Sequence, residues 1–157
     1  MSLKGSALAL SRCELFKDFS ETGLAILAGI AVQRFVANGT PLFVEGMASD
    51  AFFVLSSGGM RITVKRDGGP QLMGFLGVGE ALGQVSLLRS AGVRMVSAVA
   101  EGDSEVVEIR SRDFGRLQAQ KPQACLKLMM AVAGQFGRLL EDNQEAFKRA
   151  FISPPKA

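Results

Sequence analysis

Histidine, tryptophan and tyrosine are absent from this chain, and cysteine occurs twice, at Cys13 and Cys125. Without histidine, the commonest acid–base side chain and the commonest nitrogen ligand of metals are both missing. The two cysteines have no CxxC spacing, so a metal site is not expected. They read as reduced core thiols of a cytoplasmic protein. Catalysis would fall to carboxylates and lysines, yet no nucleophile–base pair stands out, and no enzyme is expected. Glu101, Asp103 and Glu105 read as a solvated turn between strands. No apolar run approaches the roughly 20 residues that a membrane-crossing helix needs. Ala7 to Leu10 is too short an apolar run for a secretory signal. Excess charge of one sign is also scarce. Eighteen Lys and Arg against 15 Asp and Glu leave +3, scattered rather than blocked. That describes a solvated surface and not a nucleic-acid footprint.

Glycine, by contrast, is plentiful. The chain has 18, clustered between Gly39 and Gly92. They predict many tight turns between short strands. A hydrophobic content of 48% with 21% charged residues predicts one globular domain over residues 1–157. Three zones divide it. Residues 8–31 read as helices, with Leu15, Phe16 and Phe19 on one apolar face. Ser20 suits an N-cap ahead of Leu24, Ile26, Leu27 and Ile30. Residues 32–110 read as short strands: Val32–Val36, Pro41–Val44, Ala51–Ser56, Arg61–Lys65, Gln71–Leu76, Met95–Ala100 and Glu105–Ile109. Asp67-Gly68-Gly69 is a hairpin signal. Strands at this spacing predict an antiparallel barrel or jelly roll.

Residues 111–151 read as helical again. Ser111 suits an N-cap for a short helix through Phe114 and Leu117. Pro122 suits the first turn of a long helix running to about Phe151, which Ser153-Pro154-Pro155 ends. Leu126, Ala133, Leu140 and Phe147 recur every seven residues, with Met129, Phe136 and Asn143 at the companion positions. Leu128, Val132 and Leu139 fall on a neighbouring face. One face can lie on the barrel while another meets a second copy, so a homodimer through this helix is expected. A single broad core face is the competing reading. Only about six residues follow the helix, too few for a helix-turn-helix, so direct DNA binding is not expected.

Leu76 to Ala100, LGVGEALGQVSLLRSAGVRMVSAVA, carries the chemistry. Gly83 lets the backbone approach a ligand closely. Gln84 to Leu88 can form one helical turn whose leading N–H groups lack partners. Arg94 adds a permanent charge and a planar fork of donors. Together they can hold one phosphate without a metal. Gly77 and Gly79 are no dinucleotide fingerprint, because the βαβ context is missing.

This stretch resembles the phosphate-binding cassette of cyclic-nucleotide-binding domains, as in catabolite activator proteins and kinase regulatory subunits. Leu76, Gly77, Gly79, Gly83, Leu87, Leu88 and Arg94 stand in register, and Arg94 follows Gln84 at a family spacing. Val44 to Val64, VEGMASDAFFVLSSGGMRITV, looks like the family's strand–turn–strand segment. The resemblance implies a mainly β fold: an antiparallel jelly-roll barrel with N-terminal helices, a cassette over 83–95 and a long C-terminal helix. It implies a sensor module for a cyclic nucleotide, cAMP or cGMP with cAMP favoured, and no prosthetic group. The ligand-binding residues it points to are Gly83, Gln84, Val85, Ser86, Arg94, Met95, Leu139 and Leu140. Gln84 departs from the family's glutamate, which accepts a hydrogen bond from the ribose 2′-hydroxyl. A Gln oxygen accepts one too, uncharged. Met95 stands where the family often carries a small or hydroxyl residue. Leu139 and Leu140 stand where polar side chains contact adenine in the best-known bacterial members. Those departures keep a second reading open: a binding-silent domain of the same fold serving dimerisation or docking.

Overall fold

In the computed structural model of the protein, residues 3–89 and 92–152 are described, residues 150–152 without their side chains. Helix α1 (Leu3–Ser11), a 3-10 turn (Glu14–Phe16) and helix α2 (Glu21–Ala28) come first. Helical structure thus starts ahead of residue 8 and comes in three pieces. Ser20 caps α2 as expected, its hydroxyl oxygen accepting from the Gly23 N–H at 3.1 Å.

Among the described residues eight strands follow: β1 (Val32–Val36), β2 (Pro41–Phe43), β3 (Ala51–Ser57), β4 (Met60–Arg66), β5 (Gly69–Leu76), β6 (Ala81–Leu82), β7 (Ser97–Ala100) and β8 (Ser104–Arg110). They form two four-stranded antiparallel sheets, ordered β1-β8-β3-β6 and β2-β7-β4-β5. The hairpin signal holds, because Arg66 pairs with Gly69 across Asp67-Gly68. The strand expected over Met95–Ala100 begins two residues later, since Met95 and Val96 form a bend. Strand β6 is two residues long, and no periodicity can announce so short an element.

Strand β3 shows why the layers stack as they do. AFFVL is apolar at every position and is buried on both faces. Phe52 and Val54 join Val107 and Ile109 of β8 in a core shared with the helices, against Leu10, Phe16, Leu27, Phe114 and Leu128. Ala51, Phe53 and Leu55 turn the other way, into a second core between the sheets with Phe43, Met60, Ala98 and Val106. A period-2 strand between two layers must be apolar throughout. Cys13 and Cys125 both lie in the helical core as free thiols, and burial pushes both thiol pKa values up.

Helices α3 (Ser111–Gln120), α4 (Pro122–Asp142) and α5 (Gln144–Ile152) close the chain. Pro122 opens α4 as predicted. Three expectations need correction. Ser111 does not cap α3: the cap position is Arg110, and Ser111 is already helical. Its hydroxyl donates instead to the Ser86 carbonyl at 2.8 Å. The long helix does not run unbroken to Phe151. At Asn143 (φ −121°, ψ 37°) it gives way to α5. The Asn143 side-chain amide donates to the Leu139 carbonyl at 2.8 Å, in competition with the backbone. Leu128 and Val132 are buried, but Leu139 is 52% exposed and does not share their packing. The expected stop at Ser153-Pro154-Pro155 lies outside the described residues, as do Ser90 and Ala91 within the cassette. Among the described residues no helix is long and apolar enough to cross a membrane.

Candidate functional site

The cassette is built around Gly83. It sits in the left-handed region at φ 75° and leads into a single 3-10 turn, Gln84–Leu87. A Cβ at Gly83 would collide with Arg94 Nη1 and lie 2.7 Å from the Ala51 carbonyl oxygen. Glycine is therefore required twice, by its backbone angle and by the guanidinium lying against it. Ser86 steadies the turn, its hydroxyl donating to the Gly83 carbonyl at 2.7 Å. The Ser111 hydroxyl then ties the turn to the start of α3. Gln84 and Val85 open the turn, where helical geometry gives backbone N–H groups no partner.

Arg94 is held from the other side by the loop between β2 and β3. Its N–H donates to the Met47 carbonyl at 2.7 Å, and its carbonyl accepts from Gly46 at 2.8 Å. Ala48 and Val93 form an isolated antiparallel bridge beside them. Thus the VEGMASD segment positions the arginine. The side chain is only 3% exposed. Its guanidinium carbon lies 4.3 Å from the Phe43 ring centroid and 5.4 Å from that of Phe53. Nη2 donates to the Ala51 carbonyl at 2.9 Å and stands 3.8 Å from Asp50, which is itself exposed. Nε and Nη1 are buried with no hydrogen-bond partner among the described residues. Burial pulls the Arg94 pKa below that of a free guanidinium, while the Asp50 and Glu108 carboxylates oppose that shift. A buried cation with two unused donors is costly, and an anion would satisfy it.

Arg94 also borders a cleft of about 980 Å³ lined from both sheets. Arg34, Arg110 and Arg112 share its wall with Asp50 and Glu108. Glu108 stands 3.9 Å from Arg34 and 3.7 Å from Arg110. Four arginines against two carboxylates leave this wall positive.

The other expected site residues are placed as follows. Gly83, Gln84, Val85, Ser86 and Arg94 come together. Met95 is 74% exposed in the bend before β7. Leu139 and Leu140 are 52% and 45% exposed on α4. The α4 residue hydrogen-bonded to the cassette is Gln135, one helical turn earlier than Leu139: Gln84 Nε2 donates to Gln135 Oε1 at 3.2 Å. Sequence reasoning missed Gln135, although it follows Leu128 and Val132 at helical spacing, a polar residue on an apolar stripe. It also missed Phe43 and Phe53, the rings on which the arginine rests.

Residues 33–121 match the family model for the cyclic nucleotide-binding domain. The cyclic AMP receptor protein of Thermus thermophilus is 31% identical over 102 residues, covering 64% of this chain and 47% of the receptor. The cGMP-dependent protein kinase egl-4 of Caenorhabditis elegans is 28% identical over 111 residues, 69% of this chain and 14% of the kinase. The chain therefore spans about half or less of these relatives. The crystal structure of Thermus thermophilus catabolite activator protein superposes with a TM-score of 0.73 at 26% identity, over 85% of this chain and 61% of that one. With two antiparallel jelly-roll sheets, flanking helices and a matched segment spanning the strands and the arginine-bearing cassette, this chain belongs to the cyclic nucleotide-binding domain family.

Proposed function

We propose that the domain is a regulatory sensor for a cyclic nucleotide, cAMP in preference to cGMP, with no catalytic role of its own. The observation that carries this reading is Arg94: a buried guanidinium with two unpaired nitrogens, set against Gly83 at the head of an open helical turn. A cyclic phosphate matches those donors in charge. In this reading the phosphate lies between Arg94 and the turn formed by Gly83, Gln84, Val85 and Ser86, beside Met95, and Leu139 and Leu140 offer apolar cover toward the base. Ligand binding then shifts α4 through unequal affinity for two helix positions. We further assign α4 as the seam of a homodimer, because Leu126, Met130 and Leu140 are 58%, 64% and 45% exposed along one stretch of it. The setting is the cytoplasm, where Cys13 and Cys125 stay reduced.

Titration calorimetry with cAMP should give saturable binding, and the melting temperature should rise with ligand by mass action. No heat and no thermal shift with millimolar cAMP or cGMP would overturn the sensor reading. The domain would then be a binding-silent dimerisation or docking unit. The uncharged Gln84 and the hydroxyl-free Met95 favour that second reading.

A further inference from the structure

The cleft beside Arg94 breaks the pattern of the sheet that walls it. Side chains alternate along a strand, so Val36 and Arg34 of β1 face the same way, as do Val106, Glu108 and Arg110 of β8. Val36 and Val106 lie in the core between the sheets. Two residues further along each strand, the same inward row turns from apolar to charged. Arg34 pairs with Val106, and Glu108 pairs with Phe53, both members of that core. Charge on an inward row carries a desolvation cost that an apolar residue would not.

The charges are also poorly matched. The Glu108 side chain is only 12% exposed, yet it stands 3.9 Å from the Arg34 guanidinium and 3.7 Å from that of Arg110, beyond good hydrogen-bond reach. The Arg112 side chain has no hydrogen bond or ion pair among the described residues. With Arg94 and Asp50, the lining carries four arginines and two carboxylates, a net charge of +2. Neither Gly83 nor the turn Gln84–Leu87 lines the cleft, although Arg94 borders both places. About 980 Å³ is more room than a bare oxyanion fills, and Leu42, Phe43 and Met47 add apolar wall.

We propose that this cleft is a second binding site, beside the cassette, for a small organic dianion: a compound with an apolar body and either a phosphate ester or two carboxylates. Two negative charges balance the lining. The forks of Arg34, Arg110 and Arg112 hold oxyanions through paired charge-assisted hydrogen bonds. Glu108 tethers two of those forks on the cleft side. The site does not depend on what the cassette binds.

Phenyl phosphate and phthalate serve as probes, titrated as dianions into protein carrying ¹³C-methyl methionine. The Met47 methyl, on the cleft wall, should shift saturably with at least one of them, and Met95, outside the cleft, should not. The tighter probe names the ester or the dicarboxylate class. Arg110→Gln and Arg112→Gln should each weaken that probe by about tenfold, the effect of one lost charge-assisted hydrogen bond. Arg112 is exposed, so its variant keeps the fold. Lys65→Gln removes the same charge from β4, away from the cleft, and should change affinity by less than about twofold. No saturable Met47 shift with either probe at millimolar concentration overturns the proposal. So does a Met95 shift without a Met47 shift, which puts the anion at the cassette. An equal loss in Lys65→Gln overturns it too, because the binding is then a general effect of charge.

Discussion

Arg94 pulls stability and function in opposite directions. It buries a charge with one good hydrogen bond, two unused nitrogens and a distant partner in Asp50. Contact with the Phe43 ring offsets part of that cost. Replacing an imperfectly paired buried charge by an apolar side chain of similar volume is often neutral or stabilising. Arg94→Met should therefore raise the unfolding free energy of the ligand-free protein by about 1 kcal/mol, measured by urea denaturation. A loss of stability instead would mean the guanidinium serves the fold first. For binding the expectation reverses. Arg94→Ala should weaken cAMP by roughly 2–5 kcal/mol, the effect of losing a buried charge partner. Arg89→Ala, at an exposed position of the same loop, should change affinity by less than about 0.5 kcal/mol. Calorimetry on the two variants side by side distinguishes them, and equal losses would remove Arg94 from the phosphate site.

At the scale of the element, the cassette turn depends on one backbone position. Gly83 and Gly39 share the left-handed region, at φ 75° and 76°, but only Gly83 is crowded. Nothing lies within 4 Å of a Cβ built at Gly39. Alanine at Gly39 should cost about 1 kcal/mol, the strain of that region alone. Alanine at Gly83 adds a collision with the Arg94 guanidinium and with the Ala51 carbonyl, which as backbone cannot rotate aside. It should cost at least about 1 kcal/mol more than the Gly39 variant and should abolish ligand binding. The difference between the two unfolding free energies isolates the crowding term. If the two variants prove equally stable, Arg94 is free to move away from the turn.

For the whole molecule, α4 is the element with one face in the core and another left exposed. Leu128 and Val132 are buried against the core, with Met129 and Phe136 packed partly against it. Leu126, Met130, Ala133 and Leu140 are exposed. Leu126, Ala133 and Leu140 keep the seven-residue spacing of a seam, and Met130 lies one turn beyond Leu126. Phe147 belongs to α5, past the break at Asn143, so continuity of the seam that far does not follow from spacing. The sharper test is Met130→Glu, which places like charges near each other across a two-fold axis. Light scattering at tens of micromolar should give twice the 16.7 kDa chain mass for the wild-type protein and a monomer for the variant. A monomeric wild type refutes the seam, and a fully dimeric Met130→Glu protein places the interface elsewhere.

What the sequence determined by itself was whatever depends on neighbours in the chain. The Ser20 cap, the Asp67-Gly68 hairpin, the strand run of AFFVL and the glycine-opened turn before Gln84 all follow from local sterics, local hydrogen bonds and the two-residue period of a strand. The spacing from Gly83 to Arg94 was legible only through the resemblance to the family's cassette. Tertiary structure decided the rest. Arg94 is buried because Phe43 and Phe53, from two different sheets, meet under it. Ser111 gives up a cap to bond Ser86 because β8 delivers it to the cassette. Gln135 hydrogen-bonds the turn because the packing of Leu128 and Val132 fixes the rotation of α4. Each of these contacts joins residues remote in the chain, and its cost or gain depends on the desolvation that only the assembled layers impose.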